Sequence, residues 1–144
     1  MRQEEGLMRF IPLTENHLFS KAYAGRRAVT KTVAVYVLKD RHEKRLKNAN
    51  PQKESINRLG VAASKKIGGA VERNRAKRVI REAYRLTDRE LGIKRGFIIV
   101  IAARERSAVC KMQDVKRDLQ YALAKLDMLE GSAMPETEEE RVDE

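Results

Sequence analysis

Residues 64–85 read SKKIGGAVERNRAKRVIREAYR, and this stretch carries both the fold and the chemistry. It leaves an extended run, turns on two glycines and enters a helix. Wound at about 100° per residue from Arg73, the helix gathers Ala76, Val79, Ile80, Ala83, Tyr84 and Leu86 on one side. Asn74, Lys77, Arg78, Arg81, Arg85 and Arg89 fall on the other, with Glu82 at its edge. A face so cationic repels itself in water unless a polyanion neutralises it. Arginine's planar fork fits phosphate oxygens. One surface arginine is ordinarily just solvated, but a whole stripe is the footprint of nucleic acid.

Working outward, residues 58–64 read as a strand entering the glycine turn, and Gly92 closes the long helix. Residues 97–103, FIIVIAA, are an unbroken apolar run, the mark of a strand buried on both faces. Residues 30–38 alternate, with Val33, Val35 and Val37 on one face and Ala34, Tyr36 and Leu38 on the other. Both faces are fairly apolar, so one of them pairs with a helix or a ligand. Residues 40–56 are polar and basic without apolar period, a flexible connection that favours antiparallel pairing of the strands it joins. Thr14 or Asn16 caps a first helix carrying Leu18, Phe19, Ala22 and Tyr23, which Gly25 ends. Residues 113–129 form a last helix, which Gly131 ends. The expected architecture is a single α+β domain. Its mixed four-stranded sheet, of which three strands are clear, packs with three helices on one side. Residues 1–13 form a flexible N-terminal segment, 14–130 the RNA-binding domain and 131–144 a disordered acidic tail.

The charge is segregated. The 144 residues carry +10, but residues 21–95 hold 22 lysines and arginines against 7 acids, whereas residues 131–144 hold six acids and one arginine. The single cysteine, Cys110, makes no internal disulfide and reads as a buried free thiol in a reducing, cytoplasmic setting. The first residues lack a signal-peptide pattern, and no segment approaches the roughly 20 apolar residues that span a bilayer. No membrane and no small-molecule substrate is expected.

The elements, in order, resemble the bacterial ribonuclease P protein subunit. SKKIG, AV, RNRAKR and IREAYR are similar to that family's signature, with Arg73-Asn74-Arg75 as its RNR motif. NHLFSKAYAGRR at 16–27 resembles the family's first helix, and TVAVYVLKD at 32–40 its first long strand. RGFIIVIAA at 95–103 resembles the late strand and VKRDLQYALAKL at 115–126 the last helix. The resemblance covers about three quarters of the chain. It implies a ribosomal-protein-like α/β sandwich with a left-handed βαβ crossover, against the usual right hand.

The resemblance also implies roles. Lys65, Lys66, Arg73, Asn74, Arg75, Lys77, Arg78, Arg81 and Arg85 bind the catalytic RNA subunit. Phe19, Tyr23, Arg27, Tyr36 and Ser64 hold the single-stranded 5′ leader of precursor tRNA. Spacing alone reads Phe19 and Tyr23 as a core pair. The leader role is physically sound, because any base stacks on an aromatic ring. Tyr84, on the apolar side of the basic helix, reads as core.

No catalytic constellation is legible. His17 and His42 stand alone, and Gly68-Gly69 lacks the spacing of a nucleotide-hydrolysing phosphate loop. The glycines let the backbone approach RNA, and the helix N-terminus after them favours a phosphate. The resemblance implies an endoribonuclease that is a ribonucleoprotein. The catalytic RNA holds the Mg²⁺ that activates water, and the polypeptide holds neither metal nor catalytic residue. The alternative is a ribosomal-type structural RNA-binding protein without a role in cleavage. A DNA-binding regulator would need a symmetric dimer and a short helix-turn-helix, and neither is legible. Two departures from the family stand out: Glu4 and Glu5 where a basic start is common, and the acidic tail.

Overall fold

The computed structural model describes residues 10–49, 56–108 and 110–130. In chain order it contains β1 (Phe10–Pro12), α1 (Asn16–Tyr23), β2 (Arg26–Val29), β3 (Val33–Lys39), α2 (Glu43–Ala49) and β4 (Asn57–Ala62). A short 3-10 turn (Lys65–Ile67), α3 (Ala70–Leu91), β5 (Phe97–Ala103), a second 3-10 turn (Glu105–Ala108) and α4 (Met112–Lys125) follow. The strands form one five-stranded sheet in the order β1-β4-β5-β3-β2.

The apolar run of β5 takes the centre, parallel to β4 and antiparallel to β3. A strand without polar residues is best placed where both its edges and both its faces are covered. That placement corrects the expected pairing of residues 30–38 with 58–64, because β5 lies between β3 and β4. The connection between them is also not simply flexible. Asp40 Oδ1 accepts the His42 N–H at 2.9 Å, and α2 follows from the helix formers of EKRLKNA.

The sheet has five strands rather than four, for two reasons. Residues 26–39 are a tight hairpin, in which Arg27 pairs with Tyr36. The Thr30 hydroxyl and N–H both donate to the Val33 carbonyl, at 3.0 and 2.8 Å, and close its turn. In addition, Phe10–Pro12 adds a parallel edge strand to β4, so the ordered body reaches back into the segment expected to be flexible. Pro12 is tolerated there because an edge strand has no outer neighbour to bond. Residues 1–9 and 131–144 lie outside the described residues, Gly131 and Glu136 to Glu144 included.

Helices cover both faces of the sheet, not one. On the first face, Ile80, Ala83 and Tyr84 of α3 and Val115, Leu119 and Leu123 of α4 bury Val33, Val35, Val37, Leu59, Ile99 and Ile101. On the second, α1 lays Ala22, Leu18 and Phe19 over Ile98, Val100, Tyr36 and Leu38. This answers why residues 30–38 are apolar on both sides. Side-chain caps at Thr14 or Asn16 do not form; Glu15 occupies the N-cap of α1 without a side-chain bond. The last helix ends at Lys125, several residues early, and Asp127 takes a positive φ of 59° in the turn that follows. Cys110 is half-buried rather than buried.

Buried polar groups tie the elements together. Asn57 donates to the Tyr84 hydroxyl (3.0 Å) and the Lys94 carbonyl (2.8 Å), and accepts the Phe97 N–H (2.9 Å). Arg58 makes a two-pronged pair with Asp40, Nε to Oδ2 at 2.8 Å and Nη2 to Oδ1 at 2.9 Å. Asp88 accepts the Ile93 N–H and the Arg95 Nη2, each at 3.0 Å, and so fixes the turn from α3 into β5.

Candidate nucleic-acid interface

The long helix presents the stripe its sequence predicts. Ala76, Ile80, Ala83, Tyr84, Thr87 and Asp88 are buried. Asn74, Arg75, Arg78, Arg81, Arg85 and Arg89 are exposed, and Lys77 is half-buried at the margin. Glu82 pairs with Arg85 and so offsets one charge of the stripe. Tyr84 is core, as expected. It is fully buried, its ring meets Phe10 edge-on at 5.4 Å, and burial pushes its hydroxyl pKa up.

The glycine turn is held by the helix it precedes. The Gly69 N–H donates to Glu72 Oε1 at 3.0 Å, and Arg73 Nη1 donates to the Gly68 carbonyl at 2.9 Å. Gly68 has φ 145°, and a Cβ there would lie 3.0 Å from the Glu72 Cβ, so glycine is required. Ser64 caps the 3-10 turn by accepting the Lys66 N–H at 3.3 Å. Lys65 and Lys66 are left exposed on that turn. Arg73, half-buried, therefore has a structural task beside the arginines of the open face.

A trough runs across the second face of the sheet, beside α1. Gly60, Val100, Tyr36 and Arg27 stand in one row across β4, β5, β3 and β2. The missing side chain at Gly60 is filled by Phe19: a Cβ there would lie 2.5 Å from the Phe19 Cζ. Tyr23 rests edge-on against Tyr36 with ring centroids 4.8 Å apart, and it keeps 39% of its surface exposed. Burial, then the neighbouring Tyr36, push the Tyr23 pKa up. The structure thus brings Phe19, Tyr23, Tyr36 and Arg27 together. Phe19 and Tyr36 are half-buried, Tyr23 and Arg27 exposed. The core reading and the cleft reading of the aromatics meet here, since each ring packs with one side.

The next row is Ala62, Ala102, Ala34 and Val29, small residues that keep the floor low. Beyond it, where β4 and β5 end, lies a cleft of about 600 Å³ whose polar lining is Lys31, Ser64, Lys66, Arg104, Glu105 and Arg106, four cations to one acid. Arg104 is anchored there, Nη1 donating to the Thr30 carbonyl at 2.6 Å. Lys31, Arg104, Arg106 and the alanine floor escape a reading of the sequence. They are scattered over three segments, and only strand register assembles them. The RERS run directly after an apolar strand is the one local signal that marks a cationic strand end.

The buried carboxylates serve the fold. Asp118 accepts the Thr32 hydroxyl at 2.8 Å, and Asp40 and Asp88 hold arginines. Among the described residues, no three of His, Cys, Asp and Glu gather to hold a metal ion. His17 and His42 are exposed, and His42 Nδ1 lies 3.5 Å from Arg45. No helix among the described residues is long and apolar enough to cross a membrane.

Known proteins are similar to this chain in sequence and fold. The profile of the family described as Ribonuclease P matches residues 7–127. A ribonuclease P protein component of Dehalococcoides mccartyi is 43% identical over 81 residues, spanning 56% of this chain and 64% of that one. One from Clostridium botulinum is 36% identical over 115 residues, spanning 78% and 91%. The RNase P protein structure from Staphylococcus aureus superposes with a TM-score of 0.63 over 81% of this chain and 95% of that one, at 23% identity.

Proposed function

Because this chain belongs to the ribonuclease P protein family, we propose that it serves as the protein subunit of that ribonucleoprotein in the cytoplasm, assisting removal of the 5′ leader from precursor tRNA. The observation that carries the reading is that the two cationic surfaces lie on opposite faces of one sheet. On the outer side of α3 is a rigid stripe of arginines, suited to the phosphates of a structured RNA. Beside α1 is a low trough with aromatic edges that ends in cations, suited to a single strand whose bases stack and whose backbone is tracked. One protein with both can hold the catalytic RNA and the leader at once.

In this reading Arg78, Arg81 and Arg85, with Asn74, Arg75 and Lys77, dock on the catalytic RNA, and Lys65 and Lys66 extend that surface around the turn, where Lys66 also borders the cleft at the strand ends. Arg73 sets the turn. Phe19, Tyr23 and Tyr36 stack leader bases, Arg27 and Ser64 border them, and Lys31, Arg104 and Arg106 draw the leader's phosphates toward the strand ends. Among the described residues, the buried carboxylates Asp40, Asp88 and Asp118 are already engaged by arginines, a hydroxyl and backbone N–H groups. In this reading Mg²⁺ is held by the catalytic RNA, where it would supply the water activation for phosphodiester hydrolysis. The polypeptide contributes binding and orientation.

Reconstitution tests this. The purified, RNA-free protein should leave precursor tRNA intact with Mg²⁺ present. Adding the cognate RNA should give accurate 5′ cleavage at an Mg²⁺ concentration too low for the RNA alone. Phe19→Ala and Tyr36→Ala should then weaken precursor tRNA binding about tenfold or more, from stacking worth about 1–3 kcal/mol, while sparing mature tRNA. Equal losses for both tRNAs would remove the leader from the trough. Failure to assemble with the RNA at all would favour a structural RNA-binding role.

A further inference from the structure

The last described residue is Glu130. Its N–H donates to the Gly92 carbonyl at 2.9 Å, and its side chain covers Gly92 closely enough that a Cβ there would lie 2.9 Å from Oε1. Leu129 bridges to Ile93 just beside it. Glu130 is therefore held at the C-terminal end of α3, less than a turn beyond Arg89. The residues that follow it in sequence, 131–144, hold six carboxylates and one arginine. That helix end carries the exposed cations Arg89, Arg85, Arg81 and Arg78, successive on the open face.

Reach and charge agree. Fourteen residues extend to roughly 46–50 Å, whereas the 22 residues of α3 span about 33 Å. The segment is long enough to run the whole stripe antiparallel to the helix. Clustered glutamates such as Glu138, Glu139 and Glu140 offer guanidiniums the same two-oxygen geometry a phosphate does. Tethering at the helix end raises their local concentration to about the millimolar range.

We propose that residues 131–144 lie along the arginine stripe of α3 in the RNA-free protein and are displaced by RNA. This rests on the reading of the stripe as an RNA surface. Exposed pairs are individually weak and screened beyond about 8 Å at physiological salt. The segment therefore gives way to a structured RNA of high phosphate density, yet competes with scattered, low-density polyanions. Its effect is selectivity: it subtracts from all RNA binding, and the weakest binders lose most of their occupancy.

The test compares the full chain, a form lacking residues 131–144, and a full-length form with Glu136, Glu138, Glu139 and Glu140 changed to Gln. Backbone amide spectra of each RNA-free protein are recorded at low and high salt. Removing the segment or its charge should shift the amides of residues 78–92 selectively, and the differences should vanish at high salt. Binding of a 12-base-pair RNA hairpin unrelated to ribonuclease P should tighten several-fold at low salt in both altered proteins. Unchanged α3 amides would overturn the proposal, even with tighter RNA binding, because net charge alone would then account for it. If the α3 shifts appear while Arg78→Ala with Arg81→Ala leaves affinity for the cognate RNA intact, the docking stands and the RNA reading of the stripe falls.

Discussion

Two side chains show how single residues divide between fold and function. Gly60 exists for Phe19: the ring occupies the space a Cβ would take, 2.5 Å from the nearest ring carbon. Gly60→Ala should therefore destabilise by overpacking, about 1–3 kcal/mol in a denaturant melt. Gly60→Ala with Phe19→Leu should recover much of that loss without recovering leader affinity. A Gly60→Ala protein as stable as the wild type would show the ring free to move aside. Arg73 is the second case. Its bond to the Gly68 carbonyl predicts that Arg73→Ala speeds amide exchange at residues 65–69 in the RNA-free protein, whereas Arg78→Ala does not. Equal exchange in the two variants would return Arg73 to the RNA-contacting set. The sequence announces the arginine but not this division, because a guanidinium on a helix wheel looks the same whether it reaches a phosphate or folds back to a carbonyl five residues earlier.

At the scale of elements, α3 was legible and the sheet's edges were not. A 22-residue helix repeats its period enough times to separate its faces. β1 has three residues and β2 four, too few for an alternation to show, and the polar run that becomes α2 has no apolar stripe to betray it. Strand neighbours escape the sequence for a related reason: pairing depends on which strand most needs shelter, a property of the whole sheet. The trough inherited that gap, since its alanine floor and Lys31, Arg104 and Arg106 come together only by register. For α3 the expectation is quantitative. Arg78→Ala with Arg81→Ala should lower the salt dependence of RNA-subunit binding by about 0.7–0.9 per lost phosphate contact, with little change in melting temperature. A large stability loss with an unaltered salt slope would make the stripe structural.

For the molecule as a whole, the Asp40–Arg58 pair joins the end of β3 to β4, and Glu15 at the start of α1 stands 3.8 Å from the same guanidinium. Burial alone would raise the Asp40 pKa. The Arg58 bonds and charge, with the His42 N–H, outweigh it and hold the carboxyl below its usual value. A carboxyl whose folded pKa is depressed contributes stability above its unfolded pKa, near 3.9, and loses it as the pH falls through the folded value. Wild-type protein should therefore lose more stability between pH 5 and pH 2 than Asp40→Asn does. Parallel acid curves for the two would show that the pair does not report on global unfolding. Asp40→Ala, which strands a buried guanidinium, should cost about 3–5 kcal/mol at neutral pH.

The central position of β5 also dictates an order of events during synthesis. Every strand but β1 and β2 pairs with β5, and β5 is the last strand to emerge from the ribosome. Until residue 103 is out, β4 with its edge strand and the β2–β3 hairpin have no common partner, and the arginine helix has only β4 and that edge strand to pack on. Non-local closure of this kind is slow, so a nascent chain of strongly basic character spends its assembly time beside ribosomal RNA with both apolar faces open. A chain stopped at Arg95 should stay protease-sensitive where one stopped at Glu130 resists. The final third of the message thus decides whether the first two thirds fold at all.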